Sequence, residues 1–216
     1  MTTTVRETVI ETRCELSNIS WETYESLLRD YENSGALRFT YDKGELVIMS
    51  PLPEHEGYTR LIELSLAALA DELDLPILGL GSTTFRRSDL ERGFEADAAF
   101  YVQNLERVRG RSTFDLQSGP PPDLVVEIEI TRSALDKLDL FAAFGAPEVW
   151  RYDGSRLEIR VLEVGGYLVA AESRVLPGAT AEALTALLAE GRESQFVVPL
   201  RRMREWARGL LEEVGK

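Results

Sequence analysis

Residues 123–130, Asp-Leu-Val-Val-Glu-Ile-Glu-Ile, combine an apolar run of strand length with three carboxylates. The strand period of two puts Leu124, Val126, Ile128 and Ile130 on one face and Asp123, Val125, Glu127 and Glu129 on the other. A run this rich in Val and Ile reads as a strand covered on both sides. Ionised carboxylates left alone in such a place are strongly unfavourable, so a cation must accompany them.

Outward from this strand, elements of both kinds follow one another. Towards the C-terminus, SALDKLDLFAAFG (133–145) has helical spacing and a glycine stop, PEVWRYD (147–153) reads as a strand, and RLEIRVLEVGGYLVAA (156–171) as a hairpin about Gly165-Gly166. TAEALTALLAEG (180–191) and VVPLRRMREWARGLLEEVG (197–215) predict two closing helices. Towards the N-terminus, residues 103–122 form a polar excursion ending in three prolines, which have no place in a central strand. Short strands precede it from Pro76 to Val102, with a turn at Arg87-Ser88-Asp89 and with ADAAFYV (96–102) at the end. Residues 54–73 place Ile62, Leu66, Leu69 and Leu73 on one helical face, and LRFTYDKGELVIMS (37–50) alternates about a glycine turn as a hairpin does. Ser20 caps a short helix that ends near Gly35. The expected organisation is an N-terminal arm over 1–19, in which TVIET (8–12) has the composition of an edge strand, a domain over 20–175, and a C-terminal helical extension over 176–216 packed on it. The fold class is α/β, a central mixed β-sheet flanked by helices.

Bulk properties narrow the function. A chain of 216 residues suits one core, and 44% hydrophobic with 28% charged residues is the composition of a folded globular protein. With 24 basic against 37 acidic side chains the formal charge is -13, so any attraction to nucleic acid must be local. The lone cysteine, Cys14, excludes an internal disulfide, and the lone histidine, His55, excludes Cys/His zinc centres. A metal held by oxygens stays open. No stretch has the unbroken apolar length of a spanning helix, and the expectation is a cytoplasmic protein with no membrane partner.

A further acid comes from ADAAFYV, where Asp97 sits among small and apolar residues. Two strands with inward acids can meet around one Mg²⁺, which takes one or two carboxylates and completes its octahedron with water and substrate phosphate. Such a metal lowers the pKa of a bound water and neutralises phosphoryl charge, the chemistry of phosphodiester hydrolysis. Lys137 shares a helical face with Phe141 and Phe144, so its ammonium is aimed along the sheet-facing side, where it can orient water or stabilise developing charge.

Asp97 in EADAAFYV, PPPDLVVEIEIT (120–131), LDKL (135–138) and GAPEVW (145–150) together resemble the Uma-two family, whose fold is that of the PD-(D/E)XK restriction endonucleases. The resemblance covers roughly residues 20–170 and implies a divalent-metal-dependent endonuclease hydrolysing DNA, using Mg²⁺ or Mn²⁺. It implies Asp97 and Glu127 as the acidic ligands and Lys137 as the lysine that family members carry two residues after the glutamate, a slot filled here by Glu129. The carbonyl of Ile128 is a further candidate ligand. Asp123 and Glu129 are candidates for a second shell or a second metal, and Glu63 and His55, on the 54–73 helix, for further members of the site.

Bland readings stand beside these. Asp97 fits a surface strand end, Glu127 and Glu129 fit an exposed face of an antiparallel strand, Lys137 and Glu63 fit solvated helix positions, and His55 fits a local hydrogen-bonding residue. Arg201, Arg202, Arg204 and Arg208, or Arg107, Arg109 and Arg111, are basic stripes suited either to phosphate contact or to solvent. A homodimer follows from the need for two sites to cut both strands. The alternative function is a catalytically inactive nuclease fold serving as a binding or regulatory module.

Overall fold

The computed structural model describes residues 12–32, 37–111, 116–117, 119–130, 137–197 and 200–214. In chain order the elements are β1 (Thr12–Leu16), α1 (Trp21–Asp30), β2 (Arg38–Asp42), β3 (Glu45–Ser50), α2 (Pro53–Glu72), β4 (Leu78–Gly79), β5 (Thr84–Arg87), β6 (Arg92–Glu95), β7 (Ala98–Tyr101) and α3 (Leu105–Val108). They continue as β8 (Leu124–Ile128), α4 (Lys137–Phe144), β9 (Glu148–Tyr152), β10 (Leu157–Glu163), β11 (Gly166–Ala170), α5 (Ala181–Glu193) and α6 (Leu200–Val214).

The strands form two sheets. The first has the order β1-β3-β2-β6-β5 and is antiparallel throughout; the second has the order β11-β10-β9-β8-β7-β4 and is mixed, β8 and β9 running parallel. The chain crosses from one sheet to the other between β6 and β7, at Ala96-Asp97. Residues 12–16 of the expected arm are tied down as an edge strand, Thr12 opposite Ser50 and Leu16 opposite Leu46. The TVIET segment apart from Thr12, and residues 131–136 with the first half of LDKL, lie outside the described residues.

Local chemistry accounts for the elements. Lys43 and Gly44 both take positive φ, +48° and +99°, as a two-residue hairpin turn demands. Ser20 accepts the Thr23 amide at 3.2 Å and so caps α1, whose buried Tyr24 stacks on Tyr41 of β2. Strand β8 is buried at all five positions because both faces are covered. On one side Leu124, Val126 and Ile128 pack with Leu61, Ile62, Leu66 and Leu69 of α2; on the other Val125 packs with Leu140, Phe141 and Phe144 of α4. Helix α2 is itself covered from outside by α5 and α6, which supply Leu184, Leu187, Leu188, Met203 and Ala207 to the same core. A buried carboxylate, Glu148, ties β9 to the loop before α5 by accepting from Trp150 Nε1 at 2.6 Å, Ser173 Oγ at 2.6 Å and the Arg174 amide at 2.7 Å.

Close approach of α2 to the segment after α5 requires a glycine. A Cβ on Gly57 would lie 2.6 Å from Cδ2 of Phe196, a residue held by its amide on the Gly191 carbonyl at 2.7 Å. Helix propensity alone would make Gly57→Ala stabilising by about 1 kcal/mol. Overpacking against the Phe196 ring reverses the sign, and the expected result in chemical denaturation is a net loss of about 1–2 kcal/mol.

Candidate active site

Where the chain steps between sheets, Ala96, Ala98 and Ala99 leave room for neighbouring backbone, and Asp97 turns inward between them. The Asp97 and Glu127 residues are 3% and 1% exposed, so neither is a solvated strand residue. Asp97 Oδ2 accepts the Ile128 amide at 2.7 Å and lies 3.2 Å from His55 Nε2, while Oδ1 lies 4.0 Å from Arg38 Nε. Burial pushes the Asp97 carboxyl up, but His55, the Lys137 charge and the Ile128 amide outweigh it and hold it below the usual range. Asp97 is therefore ionised.

Glu127 sits opposite Arg151 in the parallel β8–β9 ladder. Its Oε2 receives Lys137 Nζ at 2.5 Å, and its Oε1 is buried with no hydrogen-bond partner among the described residues. Burial lifts Glu127 to about 7 against the pull of Lys137, with the Asp97 charge adding to the lift. Lys137, at the start of α4, is pushed down by burial and raised more by Glu127 and Asp97, so its net shift is upward and it stays cationic. An acid that half-ionises near neutrality beside a fixed cation is the environment found at reactive sites, where desolvation and charge partners are set against one another.

His55 enters from the first turns of α2. Burial would lower it, and the contact with Asp97 together with the charges of Asp97, Glu56 and Glu127 raises it overall. Arg38 of β2, which sequence reasoning passed over, donates to Glu95 Oε1 at 3.0 Å and to Glu56 Oε1 at 3.1 Å. It joins two strands of the antiparallel sheet to α2 behind Asp97. Its signal was present in LRFTYD, a cation at the start of an apolar strand.

The remaining candidates are placed differently. Glu129 follows β8, donates its amide to the Tyr152 carbonyl at 2.7 Å and pairs its side chain with Arg151. Ile128 contributes its amide, directed at Asp97. Asp123 lies at the opposite end of β8 from Glu127, where it accepts from the Val102 amide at 2.8 Å, the Asn104 amide at 2.9 Å and Asn104 Nδ2 at 2.6 Å. It fastens the turn into α3 and is not brought to the Asp97–Glu127 pair. Glu63 pairs with Arg60, one turn earlier on α2, at 3.2 Å. Arg201 pairs with Glu205 within α6, while Arg202, Arg204 and Arg208 face Glu190, Asp71 and Glu72 and join α6 to α5 and α2.

The donor set suits a hard cation. Two carboxylates converge, one with a buried unpartnered oxygen, and Mg²⁺ needs only one or two carboxylates because it keeps waters and takes substrate phosphate. Among the described residues no three His, Cys, Asp or Glu side chains gather as a closed metal cage, the arrangement a tightly held structural ion would use.

Two outcomes follow from this geometry. The folded His55 pKa lies above the unfolded value of about 6.5, so its stabilising contribution is complete below about pH 6.5 and disappears as pH rises through the folded value. The difference in melting temperature between wild type and His55→Gln is accordingly larger at pH 6 than at pH 9, roughly the span over which an imidazole discharges. Asp123→Ala leaves the Val102 and Asn104 amides without their acceptor and lowers unfolding free energy by about 1–3 kcal/mol in denaturant titration.

The sequence matches the Uma2 family, described as "Putative restriction endonuclease", over residues 21–193. Among solved structures, the chain is similar to a putative nuclease belonging to DUF820 from Anabaena variabilis ATCC 29413, with a TM-score of 0.44 and 10% identity over 69% of this chain and 90% of that one. No curated protein matches it. Among the described residues no helix is long and apolar enough to cross a membrane. With the family model matched over residues 21–193, most of the chain's length, the chain belongs to the Uma2 family.

Proposed function

We propose that the protein is a divalent-metal-dependent endonuclease that hydrolyses DNA phosphodiester bonds, acting as a cytoplasmic homodimer so that two sites can cut both strands. The observation that carries this reading is Glu127, buried beside Asp97 with one oxygen on Lys137 and the other without a hydrogen-bond partner among the described residues. Asp97 and Glu127 would hold Mg²⁺ or Mn²⁺, with the Ile128 carbonyl as a further ligand; the ion supplies Lewis acidity and a more acidic bound water. The chain's own groups do the rest. The Ile128 amide fixes the Asp97 carboxylate, with His55 and Arg38 behind it. Glu127 fixes the Lys137 ammonium, which orients the attacking water and stabilises negative charge building on the phosphoryl oxygens. Because the net charge is -13, DNA is held by local contacts at the site.

One observation favours a second reading, an inactive module of the same fold: the Lys137 ammonium is closed onto Glu127 and Glu129 is engaged by Arg151, so the charged groups already satisfy each other. Titration calorimetry with Mn²⁺ separates the two, since a site that has lost its ion gives no heat.

The decisive assay is nicking of supercoiled plasmid in Mg²⁺ or Mn²⁺. Asp97→Ala and Lys137→Ala reduce the rate by about 10²-fold or more, the scale of losing one charge-stabilising group. Asp123→Ala, provided it stays folded, and Glu63→Gln cut at the wild-type rate. Nicking retained by Lys137→Ala at the wild-type rate removes the assignment.

A further inference from the structure

We propose that Arg151 receives a backbone phosphate of the substrate next to the scissile bond, and that Glu129 holds its guanidinium in place until the substrate takes over. This rests on the nuclease reading and adds a substrate contact to it.

The placement comes from register and parity. Val125 of β8 and Val149 of β9 are in-register partners, and both pack in the cluster beneath α4. Two residues further on, Glu127 and Arg151 are again partners and therefore share that face. Adjacent strands lie about 4.8 Å apart, so Arg151 is the immediate lateral neighbour of Glu127. Both stand near the C-terminal ends of the parallel pair, the end of an open α/β sheet at which ligands bind.

Exposure distinguishes the cations around the acids. The Lys137 and Arg38 side chains are 12% and 9% exposed and face carboxylates inward, while Arg151 is 29% exposed. A polyanion approaching from solvent reaches Arg151 before the other two. A guanidinium fork suits phosphate oxygens, and Arg151 Nη2 already meets a carboxylate oxygen of Glu129, so a phosphate oxygen can take the place of that carboxylate oxygen. Glu129 thus holds the guanidinium at the rim before substrate arrives. The Glu129–Arg151 pair leaves the Glu127–Lys137 pair intact, so the two cations have separate tasks: one meets the backbone and one meets the reacting group.

The test is binding of a fluorescent DNA duplex with Ca²⁺ replacing Mg²⁺, read by anisotropy across a salt series. Each phosphate contact contributes about 0.9 to the slope of log K against log salt. Arg151→Gln weakens binding and reduces the slope by about one contact's worth, Arg151→Lys restores the slope, and Glu129→Gln tightens binding. A purely structural ion pair predicts otherwise: both neutral variants weaken binding to a similar extent with the slope unchanged, and that result overturns the assignment while leaving the nuclease reading in place. Steady-state cleavage gives the second readout, a raised KM for Arg151→Gln with kcat little altered. Wild-type protein that shows no affinity for the duplex overturns the nuclease reading and this contact together.

Discussion

Burying two carboxylates at one point is the constraint around which this molecule is arranged. Asp97 and Glu127 are almost wholly removed from water, and either one alone would be driven to its neutral form by desolvation. The chain answers differently for each. Asp97 is surrounded by a backbone amide, an imidazole and a guanidinium, and its ionised form wins. Glu127 is pushed up to about 7 by burial, which its one strong partner, Lys137, only partly offsets. Two acids in one pocket with separated ionisation are a reactive arrangement, because one can carry charge while the other exchanges a proton or a ligand.

The cations that make this possible come from every layer. Arg38 belongs to the antiparallel sheet, His55 to α2, and Lys137 to α4 on the far side of the mixed sheet. Site assembly is therefore coupled to assembly of the fold. The C-terminal helices take part indirectly: they cover α2, and Phe196 lies against Gly57 two residues from His55.

Much of this was legible in residues and spacing. The apolar strand with its acids, the hairpins, the amphipathic helix over 54–73 and the inward aspartate could be read because strand and helix periods leave marks on local sequence. The mixed sheet was legible from the succession of strands and helices, whereas the separate antiparallel sheet was not. Whether β6 and β7 continue as one strand or cross to another sheet depends on what packs at Ala96, and alanine carries little information on that. Arg38 and the Glu129–Arg151 pair were equally hidden, being contacts between residues separated by 57 and 22 positions. The face shared by Asp123 and Glu127 was read from alternation, and parity is blind to distance along the strand. Asp123 stands at the wrong end and spends its oxygens on backbone amides.

On the nuclease reading, the position of the lysine shows how one charge location can be reached from two places in the chain. What an ammonium does for a phosphoryl group depends on where Nζ is, and hardly on which Cα carries it. A lysine two residues past Glu127 would project from the same strand face, while Lys137 reaches that space from the first turn of α4 with a flexible four-carbon stem. Moving the charge to the helix frees the strand position, and a carboxylate there can engage a neighbouring strand's arginine, as Glu129 does with Arg151. The strand then ends in an ion pair at the rim, with the amine retained over the acids. On that reading the charge reaches the same place by either backbone route, and the residue order along the chain is the weaker guide to the site.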